Sequence, residues 1–328
     1  MSEQHSDKRA RAFWIVGHER GEIREEPLRE PAAGEVLVRT LHSGVSRGTE
    51  LLVYRGKVPR SEHQRMRAPH QAGEFPWPVK YGYAGVGEVV RGPDALVGKH
   101  VFCLHPHQTA YVVLADAVVA LPANVPSARA VLAANMETAL NVVWDAAVGA
   151  GDRVAVVGAG TVGVLVAYLA SRHAGAEVEL VDVDARKGEV ARALGVAFAE
   201  PARARGDADL VIHASGTASG LATALGLAAF EATVVEASWY GDTPVSVPFG
   251  EAFHSRRLTL RSSQVGEVAP ARRARWTRRR RLEKAIVLLA DPALDALVTG
   301  ASAFEAMPDV FSRLARGDLF ALTQRVDY

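Results

Sequence analysis

The chain has 328 residues, which at about 100–200 residues per domain indicates two domains. Hydrophobic residues make up 48% and charged residues 23%, a composition that supplies a core and excludes a disordered chain. A net charge of +1 gives no overall field that would favour nucleic acid or an anionic membrane as partner. The single cysteine, Cys103, excludes an internal disulfide and any metal site built from several cysteines.

The first residues, MSEQHSDKRARAF, are polar and lack the apolar run of a secretory signal. No stretch approaches the ~18 uninterrupted apolar residues of a membrane-spanning helix. We therefore expect a frayed N-terminus that leads into a first strand, in a cytoplasmic protein without disulfides.

The first third of the chain is predicted to form short strands separated by turns. Segments rich in β-branched residues, bounded by glycine and proline, occur at 36–40, 85–90, 99–104 and 111–114. Residues 61–79 are rich in Pro, His, Arg and Gln and are interpreted as a long loop. The pattern favours a compact β-rich domain, with Cys103 as a buried core residue.

From residue 127 the pattern changes to helices at 128–135 and 136–147, followed by a regular alternation. Predicted strands lie at 153–157, 177–181, 210–213, 233–237 and 258–261, and predicted helices at 162–173, 185–194 and 220–229. Strands that alternate with helices of this length indicate a doubly wound parallel sheet. A helix at 276–289, a helix at 308–316 that Gly317 ends, and a strand at 324–326 complete the chain.

The strongest motif is Gly158-x-Gly160-x-x-Gly163, directly after a predicted strand and directly before a predicted helix. In such a dinucleotide fingerprint the first glycine permits a tight turn, the second lets the backbone approach a pyrophosphate, and the third allows close helix packing. The backbone at Thr161 and Val162 opens the helix whose N-terminus would hold the phosphates.

The second predicted strand of the alternation ends in Asp182. A carboxylate there accepts hydrogen bonds from the ribose hydroxyls and repels a 2′-phosphate, so NAD(H) is favoured over NADP(H). Lys187 is a candidate cofactor contact, although it or Arg186 could also hold a phosphate. Further candidates for cofactor binding lie at the ends of two later strands, where ligands collect in parallel sheets, namely Ser215, Gly216 and Ser238.

The order of a β-rich region, a central fingerprint and a short final region resembles the medium-chain dehydrogenase/reductase (alcohol dehydrogenase-like) superfamily. The resemblance rests on the segments 43–45, 48–50, 82–89 and 147–154, besides the fingerprint. A narrower resemblance, through segments 45–50, 80–84, 105–108 and 237–241, is to a zinc-lacking branch that includes bacteriochlorophyllide-a dehydrogenase. The superfamily resemblance implies an α/β protein with a Rossmann domain at 135–266, a doubly wound parallel sheet. This domain is set into a β-rich, GroES-like catalytic domain at 1–134 and 267–328.

The zinc enzymes of that superfamily carry three ligands at positions where this chain has other residues. Ser46 or Arg47 stands in place of the cysteine, Tyr83 in place of the histidine, and an alanine at 133 or 134 in place of the third ligand. Because a catalytic zinc needs three protein ligands, we expect no metal.

Without a metal, positioned donors must stabilise the alkoxide that forms when hydride moves to a carbonyl carbon. The resemblance implies Tyr83 as the first candidate, with Arg47 as a neighbouring cation. Ser46 and Thr49 lie in a loop that approaches the nicotinamide in this fold, and Thr138 lies where the superfamily contacts it. His107 is a candidate proton carrier because imidazole titrates near neutral pH. Each could also be an ordinary packing or turn residue.

The sequence thus predicts an NAD(H)-dependent, zinc-independent oxidoreductase that interconverts a secondary alcohol and a ketone. The substrate is expected to be a small molecule, flat or bulky, and the arginine cluster at 272–281 is expected to be a solvated face. A zinc-free reductase of activated C=C bonds and a non-catalytic NAD-binding protein remain alternatives. The resemblance also implies a homodimer that pairs through residues 258–260, with no nucleic-acid or membrane partner.

Overall fold

A computed structural model describes residues 9–328, so the predicted frayed terminus lies mostly outside the described residues. Its strands are β1 (Arg9–Gly17), β2 (Arg20–Pro27), β3 (Glu35–Val45), β4 (Ala72–Gly73), β5 (Val79–Lys80), β6 (Gly85–Arg91), β7 (His100–Cys103), β8 (Ala110–Leu114), β9 (Val118–Ala120), β10 (Arg153–Val157), β11 (Glu177–Val181), β12 (Ala197–Ala199), β13 (Ala208–His213), β14 (Ala228–Glu236), β15 (Thr259–Ser262), β16 (Val298–Ala303) and β17 (Thr323–Asp327).

The helices are α1 (Arg47–Tyr54), α2 (Ser127–Ala130), α3 (Ala133–Ala146), α4 (Thr161–Ala170), α5 (Lys187–Ala193), α6 (Ala218–Leu227), α7 (Arg278–Leu288) and α8 (Met307–Arg316). Gly317 ends α8 in the left-handed conformation, as its position after the last helical residue predicts. Across residues 9–328, no helix has both the length and the apolar character needed to cross a membrane.

The chain divides into two compact units. Among the described residues, the first unit comprises 9–134 and 298–328, and the second unit comprises 135–297. The segment 267–297 therefore belongs to the second unit, whereas the sequence analysis had placed it with the returning catalytic domain.

The physical reason for that correction is Arg281, which is buried although the arginine cluster was expected to be solvated. Its guanidinium donates to Glu137 and Asn141 of α3, and to the backbone carbonyls of Val265 and Glu267. A buried guanidinium has to satisfy its donors, and these partners tie α7 to the second unit. The other arginines of the cluster are exposed, as expected, at positions 272, 273, 275, 278, 279 and 280.

The second unit is built on a six-stranded parallel sheet in the order β12-β11-β10-β13-β14-β15. The predicted strands at 153–157 and 177–181 match β10 and β11 residue for residue, since both are short apolar runs bounded by charged residues. The short strand β12 was not predicted. The strand order reverses at β10, and the fingerprint follows this strand directly. Ligands bind at such a point in doubly wound sheets.

The first unit holds two sheets, in the orders β2-β1-β5-β4 and β16-β17-β3-β6-β7-β9, with β8 also paired to β3. Cys103 lies in the buried core of the second of these sheets, as expected, and burial raises the pKa of its thiol to about 12. The returning strand β17 pairs antiparallel with β3, with Val326 opposite Ser43. This pairing brings the last residues of the chain beside residues near its start.

Candidate functional site

The fingerprint turn of the second unit has the geometry of a phosphate cradle. Gly158 has φ of 109°, and a Cβ added to it would lie 2.5 Å from the backbone nitrogen of Ser215. A Cβ on Gly163 would lie 1.8 Å from the carbonyl oxygen of Gly158, whereas one on Gly160 would meet no atom within 4 Å. The turn is therefore closed where helix and strand pack and open at Gly160, where a pyrophosphate would approach.

Helix α4 begins at Thr161, directly after Gly160. The N-cap residue, Gly160, has no side chain that could cover this helix start, and Val162 follows within its first turn. Helix N-termini present backbone N–H groups and a positive partial charge, which together bind phosphate. The residues present therefore fit the pyrophosphate of a dinucleotide.

Asp182 follows β11 and is bound on both carboxylate oxygens. Its Oδ2 accepts from the backbone N–H of Ala159 at 2.7 Å and from Nζ of Lys187 at 2.8 Å, while Oδ1 accepts from the N–H of Asp184 at 2.9 Å. Arg186 donates twice to Asp184, at 2.8 and 2.7 Å. The acidic side chain is thus held against the fingerprint, and both nearby cations are engaged by carboxylates.

A buried polar cluster lies at the carboxyl ends of β13 and β14. His213 and Glu236 are directly opposite each other in the sheet, and their Nδ1 and Oε2 atoms are 2.7 Å apart. The Nε2 of His213 is 2.6 Å from Oγ of Ser215, and Tyr240 donates to Oε2 of Glu236 at 2.8 Å.

The same cluster fixes the backbone of the next turn. Ser238 donates its N–H to Glu236 at 2.7 Å, and its Oγ accepts from the N–H of Gly216 at 3.0 Å. Burial works to raise the pKa of Glu236, but the hydrogen bond and charge of His213, with Ser238, hold this pKa below its ordinary value. The candidates Ser215, Gly216 and Ser238 are therefore joined in one network at the predicted edge of the sheet.

Thr138 lies in α3 of the second unit, which carries mostly buried side chains. In the run from residue 131 to residue 140, Thr138 is the one residue that is partly exposed. Thr138 is therefore partly accessible, whereas its neighbours in the run are buried.

Three of the predicted catalytic side chains come together in the first unit. The hydroxyls of Ser46 and Thr49, from the start of α1, lie near the phenol of Tyr83 and act to lower its pKa. Burial first, and then the charge of Glu50, raise the pKa of Tyr83 to about 12, although the two hydroxyls oppose this shift. Tyr83 therefore stays protonated near neutral pH and is a hydrogen-bond donor.

The charge that acts on Tyr83 is the carboxylate of Glu50, whereas the predicted neighbour was the cation Arg47. Arg47 is exposed at the first position of α1. Glu50 is buried, and its Oε1 accepts from the backbone N–H of Ser46 at 2.7 Å. Sequence reasoning did not single out Glu50, although it lies in a segment that carried the resemblance.

His107 connects this cluster to the rest of the first unit. Its Nε2 is 2.8 Å from Oε2 of Glu50, and its Nδ1 is 2.7 Å from Oγ of Ser43. The Oγ of Ser43 is in turn 3.0 Å from the hydroxyl of Tyr328. Ser43, Glu50 and His107 are each 1% exposed, so these bonds are shielded from water.

His105, two residues before His107, has a different environment. Its ring stacks on Tyr111 with ring centroids 3.7 Å apart, and Nδ1 is 2.9 Å from the carbonyl of Pro106. Burial lowers its pKa to about 3, so it is a neutral core residue. The two histidines of the His-Pro-His segment therefore differ in role.

Comparisons with known proteins agree with this architecture. No family model matches the chain. The 2-desacetyl-2-hydroxyethyl bacteriochlorophyllide A dehydrogenase of Cereibacter sphaeroides is 39% identical over 71 residues, which are 20% of this chain and 18% of that protein. The chain thus matches less than a fifth of the length of this curated relative.

Solved structures match over nearly the whole chain. A Sinorhizobium meliloti protein named as a zinc-binding dehydrogenase and solved with NADP has a TM-score of 0.77 at 18% identity, covering 98% of this chain and 100% of its own. An alcohol dehydrogenase of Escherichia coli CFT073 solved with NADH has a TM-score of 0.75 at 18% identity, covering 98% and 99%. The chain has the medium-chain dehydrogenase/reductase fold. The predicted Rossmann and GroES-like architecture is confirmed.

The residues that the resemblance places at the zinc-ligand positions do not form a set of zinc ligands. The phenol of Tyr83 stays protonated near neutral pH because its pKa is raised to about 12, and Ala133 and Ala134 offer no side-chain ligand atom. Within residues 9–328, no three His, Cys, Asp or Glu side chains are grouped so that they could hold a metal ion. In the first unit, the buried carboxylate of Glu50 and the imidazole of His107 instead bond to each other.

Sequence reasoning missed five residues that belong to these clusters: Ser43, Glu50, His213, Glu236 and Tyr328. A signal existed for His213 and Glu236, because each is a polar residue at the end of a predicted buried parallel strand. For Tyr328 no local signal existed, since its partner Ser43 is 285 positions away in sequence.

Proposed function

We propose that this protein is an NAD(H)-dependent oxidoreductase that interconverts a secondary alcohol and a ketone without zinc. The observation that carries the proposal is the fingerprint cradle, with Asp182 bound to the backbone of Ala159 inside it. A carboxylate fixed at this place accepts the ribose hydroxyls of NAD and repels the 2′-phosphate of NADP. The solved structures of this fold were obtained with NADP in one case and NADH in another, so the preference rests on the residues of this chain.

The cations near Asp182 support the same preference. Arg186, which could have held a 2′-phosphate, is paired twice with Asp184, and Lys187 is paired with Asp182 itself. A phosphate would have to break a carboxylate pair to gain either cation. Val183, which lies between the two aspartates, is 81% exposed and offers an apolar surface to an adenine ring.

When bound, the nicotinamide supplies or accepts the hydride. The protein's own part is to hold the reacting oxygen and to handle its proton. Tyr83 is a protonated phenol beside the hydroxyls of Ser46 and Thr49, so it can donate to a carbonyl oxygen as negative charge develops there. This set of donors favours an enzyme over a non-catalytic NAD-binding protein, because a binding function alone does not require it.

The substrate is proposed to be a flat or bulky small molecule, on the strength of Trp239 and Tyr240 after β14. We further propose a homodimer without nucleic-acid or membrane partners. Strand β15 lies at the edge of the six-stranded sheet, where it could pair with a second copy across a two-fold axis.

Replacement of Asp182 tests the cofactor proposal. We expect wild-type protein to bind NADH more tightly than NADPH, and Asp182→Asn to weaken NADH binding about 10- to 100-fold, which corresponds to the ~1.5–3 kcal/mol of a hydrogen bond to a charged group. NADPH binding should weaken less, since a negative charge has been removed. Quenching of intrinsic fluorescence measures both affinities, with Asp209→Asn, an exposed aspartate of β13, as matched control.

A preference of the wild type for NADPH would overturn the proposal. Oxidation of secondary alcohols is then assayed by NADH formation, with primary alcohols and activated alkenes (with NADH) as comparison substrates. Turnover confined to the alkenes would make the protein a C=C reductase.

A further inference from the structure

The exposed arginines at the start of α7 form a concentrated positive surface on the second unit. We call it the arginine surface, and its members, all exposed, are Arg272, Arg273, Arg275, Arg278, Arg279 and Arg280. The whole chain, in contrast, has a net charge of only +1. Positive charge gathered in one place on an otherwise balanced protein produces a local field that attracts anionic groups.

Carboxylates of the same unit occupy two of these guanidinium groups. Arg278 donates to Glu267 at 2.6 Å, and Arg279 donates to Glu283 at 2.6 Å. Within residues 9–328, the arginines at positions 272, 273, 275 and 280 pair with no carboxylate. The arginine surface thus already binds carboxylates at hydrogen-bonding distance, and it presents further guanidinium groups that no carboxylate of the described chain occupies.

The first turn of α7 is charged against the usual preference of a helix. Its first four residues, 278–281, are all arginine, and three of them are exposed. Because the N-terminus of a helix carries a positive partial charge, it favours anions and disfavours cations. A local choice that costs stability is expected at a functional site, and a docked anionic group would offset this cost.

Two indole rings order part of the arginine surface. Trp144 of α3 and Trp276 lie with their ring centroids 4.8 Å apart. The guanidinium of Arg272 lies 5.6 Å from the ring centroid of Trp144, and that of Arg280 lies 4.1 Å from the centroid of Trp276. Arg280 also donates to the backbone carbonyl of Arg275 at 2.6 Å. Side chains that are held before a partner arrives lose less entropy when it binds.

These features favour a protein partner over a nucleic acid. Arginine and tryptophan are enriched where protein interfaces gain most of their binding energy, and a guanidinium can match a carboxylate with two parallel hydrogen bonds. Each indole already contacts the other indole and a guanidinium, so a base that stacked on it would have to displace one of them. The chemistry that fits the arginine surface is therefore a cluster of carboxylates.

We propose that the arginine surface is a docking site for a segment of another protein that is rich in aspartate and glutamate. The carboxylates of this segment pair with the four arginines that have no carboxylate partner among residues 9–328. The proposal is independent of the proposed function, because the arginine surface shares no residue with the fingerprint cradle or with the predicted catalytic set.

Binding of poly-L-glutamate to the full-length protein tests the proposal. We expect the labelled peptide to bind at about 0.1 M salt, where the Debye length is about 10 Å, and its affinity to fall as the salt concentration rises. Arg273→Glu/Arg275→Glu should weaken binding at least about tenfold, because like charges then face each other. Arg273→Gln/Arg275→Gln removes the charges without reversing them and should weaken binding about 2- to 30-fold. Fluorescence anisotropy of the peptide measures these affinities.

Arg192→Glu/Arg203→Glu is the matched control. It reverses the same number of charges at exposed positions of the second unit, and neither arginine pairs with a carboxylate among residues 9–328. Its affinity for poly-L-glutamate should stay close to that of the wild type, since salt screens charges that lie away from the docking site. Equal weakening in this variant and in Arg273→Glu/Arg275→Glu would overturn the proposal, as would a wild type that does not bind the peptide.

Two further probes separate an acidic protein from other anionic partners. A single-stranded DNA with the same number of charges, and vesicles that contain phosphatidylserine, should each bind more weakly than poly-L-glutamate. Tighter binding of the DNA would overturn the proposal and assign the arginine surface to nucleic acid. Tighter binding of the vesicles would overturn it in favour of a membrane surface.

Discussion

Each unit of this protein contains a buried histidine bonded to a glutamate through one ring nitrogen and to a serine through the other. In the first unit Glu50 is at Nε2 and Ser43 at Nδ1 of His107, whereas in the second unit Glu236 is at Nδ1 and Ser215 at Nε2 of His213. The residue types are the same, so their different surroundings must decide what each histidine does.

The surroundings of the second histidine hold it in place. His213 and Glu236 are neighbours in a parallel sheet, and Glu236 also accepts from Tyr240 and Ser238. Ser215 lies under the start of α6, where a Cβ on Gly220 would be 2.1 Å from its Oγ. With every partner engaged by the sheet or the helix, this cluster holds the backbone of the turns after β13 and β14 in place.

The largest expected difference between the two clusters is in stability. Glu50→Ala leaves two buried donors, on His107 and Ser46, without an acceptor, and should lower the free energy of unfolding by about 3 kcal/mol at about 1–3 kcal/mol per buried group. Glu236 is 15% exposed at its side chain, so water can replace it in part, and Glu236→Ala should cost about 1 kcal/mol. Urea denaturation at pH 7 measures both. Equal losses would show that the two clusters are energetically alike.

The fingerprint cradle of the second unit and the His107 cluster of the first unit also differ in how far the sequence could predict them. The cofactor cradle uses consecutive residues between Gly158 and Gly163 and the end of the next strand, so its spacing alone identifies it. The first unit draws its cluster from residues 43, 50, 107 and 328, which only the pairing of β17 with β3 brings together. Tyr83 was found through a resemblance, and its partner Glu50 was missed because the fold, and not the local pattern, makes it buried.

Contacts between residues far apart in sequence also explain why the end of the Rossmann region was predicted at residue 266, whereas the second unit extends to residue 297. An arginine run is usually a solvated face, and six of the seven arginines at 272–281 are exposed. Arg281 is buried because its acceptors come from α3 and from the turn before α7, more than one hundred and about fifteen residues away. No pattern within the helix distinguishes that arginine from its neighbours.

A third buried histidine, His105, sharpens the comparison because it has no carboxylate partner. Burial lowers its pKa to about 3, against about 6.5 when the chain is unfolded. Below pH 6.5 the unfolded state therefore binds more protons, so stability falls as pH drops and the loss is complete near pH 3. Between pH 7 and pH 5 the loss should be about 2 kcal/mol.

Urea denaturation of wild type and His105→Gln over this pH range measures that contribution. The variant should be less stable at pH 7 and should lose less stability on going to pH 5. His100→Gln, at an exposed position of β7, is the matched control and should keep the slope of the wild type. Parallel curves for wild type and His105→Gln would assign the acid sensitivity to other groups.

The smallest effect concerns how the second cluster is tied to its helix. Thr217 caps α6 by accepting from the N–H of Gly220 at 3.0 Å, and its Oγ1 is also 3.0 Å from Oγ of Ser215. Thr277 caps α7 in the same way, at 3.1 Å from the nitrogen of Arg280. Replacing either threonine by alanine should cost about 1 kcal/mol of stability, because each removes one helix cap. Only Thr217→Ala also frees Ser215, and through it His213, so it alone should weaken NADH binding, by roughly 2- to 10-fold. Fluorescence titration with NADH compares the affinities of Thr217→Ala and Thr277→Ala. If the two affinities are equal, Thr217 only stabilises its helix and does not position the cofactor site.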